Sequence, residues 1–247
     1  MSETRAHETI IELDATPAEV WDLIATGEQL SRWFAPNNSV EPGVGGQVVA
    51  DWGPGLEWRT SIEVWEPGRH LRLAETRDKP LSVGPAAAMT PQRLIQDFYI
   101  ETRNGRTVLR LVHSGFGATA DWDGEFEGTR GGWRMCFFRL KEMFERHRGE
   151  EVANLIVNRH FDGVPVKAAF DAVRAIAPGR SAESQEGDGH YYTIVPHRNR
   201  SAFTMSASTT PGGSAVYVEW LLFGSAAGNA AAVREEWRRK LDSVVAR

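Results

Sequence analysis

The sequence predicts an α+β protein: a curved antiparallel sheet closed over a long helix, then a smaller α+β domain that reads as an incomplete second copy. Three observations carry this. Residues 56–64 alternate Leu56, Trp58, Thr60, Ile62 and Val64 with Glu57, Arg59, Ser61 and Glu63, the period-two pattern of a half-buried strand. Asn104-Gly105, between the strand-like runs 94–102 and 106–114, is a two-residue hairpin signal. Phe126, Trp133, Phe137, Leu140 and Phe144 share one face of a helix over 121–148.

The other elements follow in order. Residues 8–14 read as a strand with Ile10 as its apolar position against Glu8 and Glu12. Thr16-Pro17-Ala18-Glu19 is a capping box with proline in the first turn, opening a helix that carries Val20, Trp21, Leu23 and Ile24 and stops at Gly27. A short helical turn over 28–34 ends before Pro36, and strands are expected over 47–52 and 70–76. Residues 78–91, rich in Pro, Gly and Ala, read as a mobile flap. Gly128, Gly131 and Gly132 each cost the long helix about 1 kcal/mol relative to alanine, a cost usually kept where another backbone or a ligand comes close. Gly149 closes the first domain, 1–149. In the second, 150–247, a strand over 154–160, a helix opened by Pro165, a polar loop over 181–189, strands over 190–195, 202–208 and 215–223, and a helix over 230–245 echo the same order.

Composition excludes several function classes. A formal net charge of −5 gives no basic field for nucleic acid or an anionic membrane. The single cysteine, Cys136, rules out an intramolecular disulfide and a CxxC knuckle, and is expected as a small buried hydrophobe. Charged residues punctuate Met1–Leu13, so no secretory apolar stretch is read there, and no apolar run approaches the ~20 residues of a membrane span. The cytoplasm is therefore expected. The seven histidines form no HExxH or close pair, so no metal is expected. Gly115-Phe116-Gly117-Ala118-Thr119-Ala120 has dinucleotide-loop spacing, but Asp121-Trp122-Asp123-Gly124 interrupts the helix start and the surroundings are antiparallel, so no cofactor is expected.

The order of these elements, with "ATPAEVWDLI", "LSRWFAP", "RTVLRLVHSGF" and "GGWRMCFFRLKEMF", resembles the bacterial proteins similar to the C-terminal domain of the activator of heat shock protein 90 ATPase, within the START and Bet v 1-like (SRPBCC) superfamily. The resemblance covers residues 7–148. It implies a helix-grip fold, in which seven strands grip the long helix around an apolar cavity.

Trp33, Trp52, Trp58 and Trp133 are candidates for the wall of that cavity by their places on the first helical turns, the sheet and the closing helix. Phe126, Gly132 and Phe137 join them from the helix. His113, in phase with Leu109 and Leu111, is the candidate buried polar group, and Asp97, in phase with Ile95 and Tyr99, a second one. No residue is assigned a catalytic role. The expected function is non-enzymatic binding of a small hydrophobic or aromatic molecule, with a homodimer left open as a further partner. Two alternatives remain: a cyclase or aromatase of the polyketide kind, which the superfamily contains, and a cochaperone-like activator, which the family's name implies.

Overall fold

The computed structural model describes residues 3–81, 88–187, 189–197 and 200–245. Strand β1 (Thr4–Leu13) leads into α1 (Pro17–Ala25) and α2 (Gly27–Trp33). The capping box forms: the Glu19 amide donates to the Thr16 hydroxyl at 3.2 Å, and the Thr16 amide donates to the Glu19 carboxylate at 2.8 Å. Thr26, rather than Gly27, ends α1, and its hydroxyl caps α2 by accepting from the Gln29 amide. Strands β2 (Asn37–Val40), β3 (Gln47–Asp51), β4 (Glu57–Glu66), β5 (His70–Arg77), β6 (Gln92–Arg103) and β7 (Arg106–Gly117) precede the long helix α3 (Asp123–Arg146). They form one antiparallel sheet in the order β1-β7-β6-β5-β4-β3-β2. Asn104 and Gly105 both have positive φ, 52° and 78°, as the two-residue hairpin between β6 and β7 requires.

Two side-chain phases differ from expectation. Ile10 shares a face with Glu8 and Glu12 and is 45% exposed; His7, Ile11 and Leu13 are the inward set of β1. In β4 a bulge between Ile62 and Val64 breaks the alternation. Val64 then pairs with outward Arg72, while Trp65 pairs with buried Leu71 and meets Trp21 of α1 edge-on at 4.9 Å.

The second half contains β8 (Val152–Asp162), α4 (Val166–Arg174), β9 (Glu183–Gly187), β10 (His190–His197), β11 (Ser201–Thr210), β12 (Gly213–Phe223) and α5 (Ala230–Val245). Its sheet runs β8-β12-β11-β10-β9, so its first strand lies beside its last, as β1 lies beside β7. Residues 181–189, expected as a loop, contain β9: a polar edge strand with no apolar alternation to betray it. The flap expected over 78–91 falls partly outside the described residues. Its described end is held by the Thr90 amide donating to Asp121 at 2.8 Å and by Trp122 Nε1 donating to Thr90 O at 2.9 Å.

The second sheet packs one face on α3 and the other on α4 and α5. On β12, Val216, Val218, Trp220 and Leu222 join Phe170 of α4 and Trp237 of α5, whereas Leu221 and Phe223 enter the core around α1, α2 and α3. The long helix is thus covered from both sides. Arg139 of α3, 1% exposed, is ion-paired to Glu219 and hydrogen-bonded to Asn154, both from the second sheet.

Candidate functional site

The glycines of α3 explain how two sheets approach one helix. A Cβ built on Gly124 or Gly128 would lie 3.0 or 3.1 Å from the His190 ring, and one on Gly131 would lie 2.8 Å from Tyr192 Cδ1. These three admit β10. Gly132, a turn on from Gly128, has nothing within 4 Å of its Cβ position. It opens into a cleft of about 300 Å³ that runs along α3, between the inner face of the first sheet and β10–β11.

Four aromatic rings form one wall of this cleft: Phe34 at the end of α2, Trp52 just after β3, Trp58 on β4 and Trp133 on α3. Phe34 and Trp133 stack at 5.2 Å with 7° between their planes. Trp52 meets Phe34 edge-on at 5.0 Å and lies over Trp58 at 6.2 Å. Leu56, Leu81, Met89 and Met135 extend the apolar lining.

Beside Trp58 sits a buried group of charges. Glu75 and Arg77 lie on β5 in phase with inward Leu71 and Leu73, and Glu125 reaches them from the first turn of α3. Arg77 pairs with Glu75 at 2.7 Å and with Glu125, while Trp58 Nε1 donates to the same Glu75 oxygen. The guanidinium lies 4.7 Å over the Trp58 ring, in cation–π geometry. All three charged side chains are at most 10% exposed. Burial raises the Glu75 carboxyl above the usual range, against the pull of Arg77.

Behind the wall lie two neutral histidines. Trp133 Nε1 donates to His113 Nδ1 at 3.1 Å, which places the His113 proton on Nε2, a buried atom with no partner among the described residues. His113 is fully buried and its pKa lies well below the usual histidine value, first because of burial and then because of His7 and Arg77. His7, 5.3 Å away, is held at about 4, by burial and then by Arg130. Cys136 lines the cleft as well, but burial, with Glu219 adding, pushes its thiol up to about 12, so it stays protonated at neutral pH.

The expected site residues therefore separate. Trp52, Trp58, Gly132 and Trp133 meet at the cleft. Trp33 is turned away from it, donating to Leu23 O at 2.9 Å inside the core, and its neighbour Phe34 takes the cleft position. Phe137 packs behind Trp133 at 6.0 Å, and His113 is sealed under Trp133 and Trp58. Phe126 packs on His7 and Phe116 with Arg5 over its ring, away from the aromatic wall. Asp97 is on the opposite face of the sheet, where it accepts from Arg72 at 2.7 and 3.2 Å and bonds His70 at 2.7 Å; its expected place beside the cavity is corrected. The Glu75–Arg77–Glu125 group was not singled out from sequence. The strand phase of Glu75 and Arg77 with Leu71 and Leu73 was the available signal. No cluster of three His, Cys, Asp or Glu suited to a metal occurs among the described residues. Among them, too, no helix is long and apolar enough to cross a membrane.

A seven-stranded antiparallel sheet wrapped on one long helix defines a helix-grip protein of the α+β class. The family described as activator of Hsp90 ATPase homolog 1-like protein matches residues 14–145, and the chain belongs to it. No curated protein matches the chain in sequence. Among solved structures, it is similar to a protein from Mesorhizobium loti at 22% identity, over 57% of this chain and 98% of that one, with a TM-score of 0.48. The Aha1 dimer from Colwellia psychrerythraea is similar at 18% identity, over 57% of this chain and 97% of that one, with a TM-score of 0.44. DynU16, a protein of the dynemicin biosynthetic locus, is similar at 14% identity over 98% of this chain and 96% of its own, with a TM-score of 0.45.

Proposed function

We propose that the protein binds a small hydrophobic or aromatic molecule in the cleft that runs along α3 between the first sheet and β10–β11. The observation that carries this is Gly132: of the glycines at 128, 131 and 132 in α3 it alone has free space at its Cβ position, and it lines the same cleft as the four-ring wall. A pocket of about 300 Å³ with an aromatic, apolar wall and polar groups on its other sides fits a small organic ligand. The chemistry around it supports binding over catalysis. Cys136 is held as a thiol, and His113, the residue a proton-moving enzyme would recruit, is sealed behind the wall. Residues 1–149 supply the aromatic wall, and residues 150–247, in this reading a shortened second copy, supply the facing side of the cleft through β10 and β11.

The neutral probe N-phenyl-1-naphthylamine tests this. It should bind saturably at micromolar concentration, with a rise in its own emission and quenching of tryptophan. Gly132→Phe should weaken binding at least tenfold while leaving the melting temperature within a few degrees. Absence of saturable binding to the wild-type protein, or undiminished binding to Gly132→Phe, would overturn the proposal.

A further inference from the structure

The aromatic wall and the charges beside it also specify what the ligand should carry. Glu75, Arg77 and Glu125 are two carboxylates around one guanidinium, buried together at the foot of Trp58. A buried cluster with an unmatched charge is costly, and a counter-charge brought into the site relieves that cost. The other acidic groups lining the cleft have partners of their own: Glu219 is matched by Arg139 and Glu127 by Arg130, at 2.5 Å, and Asp121 at the rim accepts from the Thr90 amide. Among the described residues, Arg77 is the single lysine or arginine lining the cleft, and both its partners are carboxylates. The wall independently favours the same sign, because indole faces attract cations, and Trp58 already holds one on its ring through Arg77.

From these two features together we propose that the cleft selects an aromatic ligand bearing a cationic nitrogen, an amine or a protonated nitrogen heterocycle, over neutral and anionic analogues of the same shape. The ring enters against Phe34, Trp52 and Trp133, and the cationic nitrogen approaches Glu125, completing two cations against two carboxylates. This rests on the binding reading above and narrows its ligand class.

The test is a matched series on the full-length protein: 2-naphthylmethylamine, 2-naphthylmethanol and 2-naphthoate, titrated by tryptophan quenching at low and at moderate salt. The amine should bind about tenfold more tightly than the alcohol, about 1.4 kcal/mol, and the carboxylate more weakly than both. In Glu125→Gln the amine should fall to within about twofold of the alcohol, and saturable binding of the alcohol reports an intact cleft. If Glu125→Gln does not bind the alcohol, Glu75→Gln serves for the same comparison. An alcohol that binds as tightly as the amine, or a carboxylate that binds more tightly than either, refutes the cation selectivity and leaves the binding reading standing. Failure of all three to bind the wild-type protein refutes both.

Discussion

Lowering the pH should unfold this protein through His7, and the size of the effect follows from its surroundings. The Thr129 hydroxyl donates to Glu125 O at 2.8 Å, so at 3.2 Å from His7 Nε2 it accepts the ring proton and leaves Nδ1 as a bare, buried lone pair. Protonating Nδ1 would place a cation beside Arg130 of α3 and His113 of β7, between the rings of Phe116 and Phe126, with Arg5 on the same strand already paired to Asp123. The folded pKa is about 4 against an ordinary 6.5. Between those values the unfolded chain binds more protons than the folded one, so the stabilisation is full above pH 6.5 and is lost as pH falls toward 4. At 1.36 kcal/mol per pKa unit the loss is about 2 kcal/mol by pH 5 and about 3 kcal/mol by pH 4. Buried His113 adds to it in the same direction. The assay is urea unfolding at intervals from pH 7.5 to 5, for the wild type and His7→Gln. The variant should be less stable at pH 7.5, and its curve should be shallower, so that the gap closes by about 2 kcal/mol at pH 5. Parallel curves would show that His7 is charged in the folded state, or hydrated, and would refute the reasoning.

Neighbouring glycines of α3 should respond oppositely: Gly132→Ala should stabilise by about 0.5–1 kcal/mol through helix propensity alone. Gly131→Ala should destabilise by about 1–2 kcal/mol because its Cβ meets Tyr192, both read as melting-temperature shifts. Arg139→Ala leaves the Glu219 carboxylate without its cation between sheet and helix and should cost about 3 kcal/mol in urea unfolding; adding Glu219→Leu should recover much of it. The fragment 1–149 should unfold cooperatively but at a lower temperature than the whole chain, and loss of a cooperative transition would show that the second sheet is needed to complete the first core.

Elements with local signals were legible in the sequence: the Thr16–Glu19 box, the Asn104-Gly105 hairpin and the apolar stripe of α3 each follow from a few neighbouring residues. What failed was non-local or polar. β2 and β9 are polar edge strands whose pairing lies in their partners rather than in their own pattern. The bulge that turns Trp65 inward is one residue out of phase and invisible in an alternating run. At the site, the wall was half legible, because helix and strand phase place Trp58 and Trp133 inward, but Trp33 and Phe34 are adjacent and only the end of α2 decides which ring reaches the cleft. That the glycines of α3 accept close neighbours was readable; that the neighbour at three of them is β10, more than 50 residues away, was not.

Sharing one helix between two sheets also sets a timetable during synthesis. The face of α3 carrying Met135 and Phe138 finds its cover in Tyr192 and Ile194, which the ribosome adds well after the helix itself. At about 5–20 residues per second, the 98 residues after position 149 take roughly 5–20 s to appear. For that interval the first sheet holds a helix whose back is bare, and the nascent chain is most open to capture by chaperones or by other nascent chains. The glycine stripe that later seats β10 keeps that face sparse in side chains, so the same residues that admit the second sheet reduce how much greasy surface waits for it.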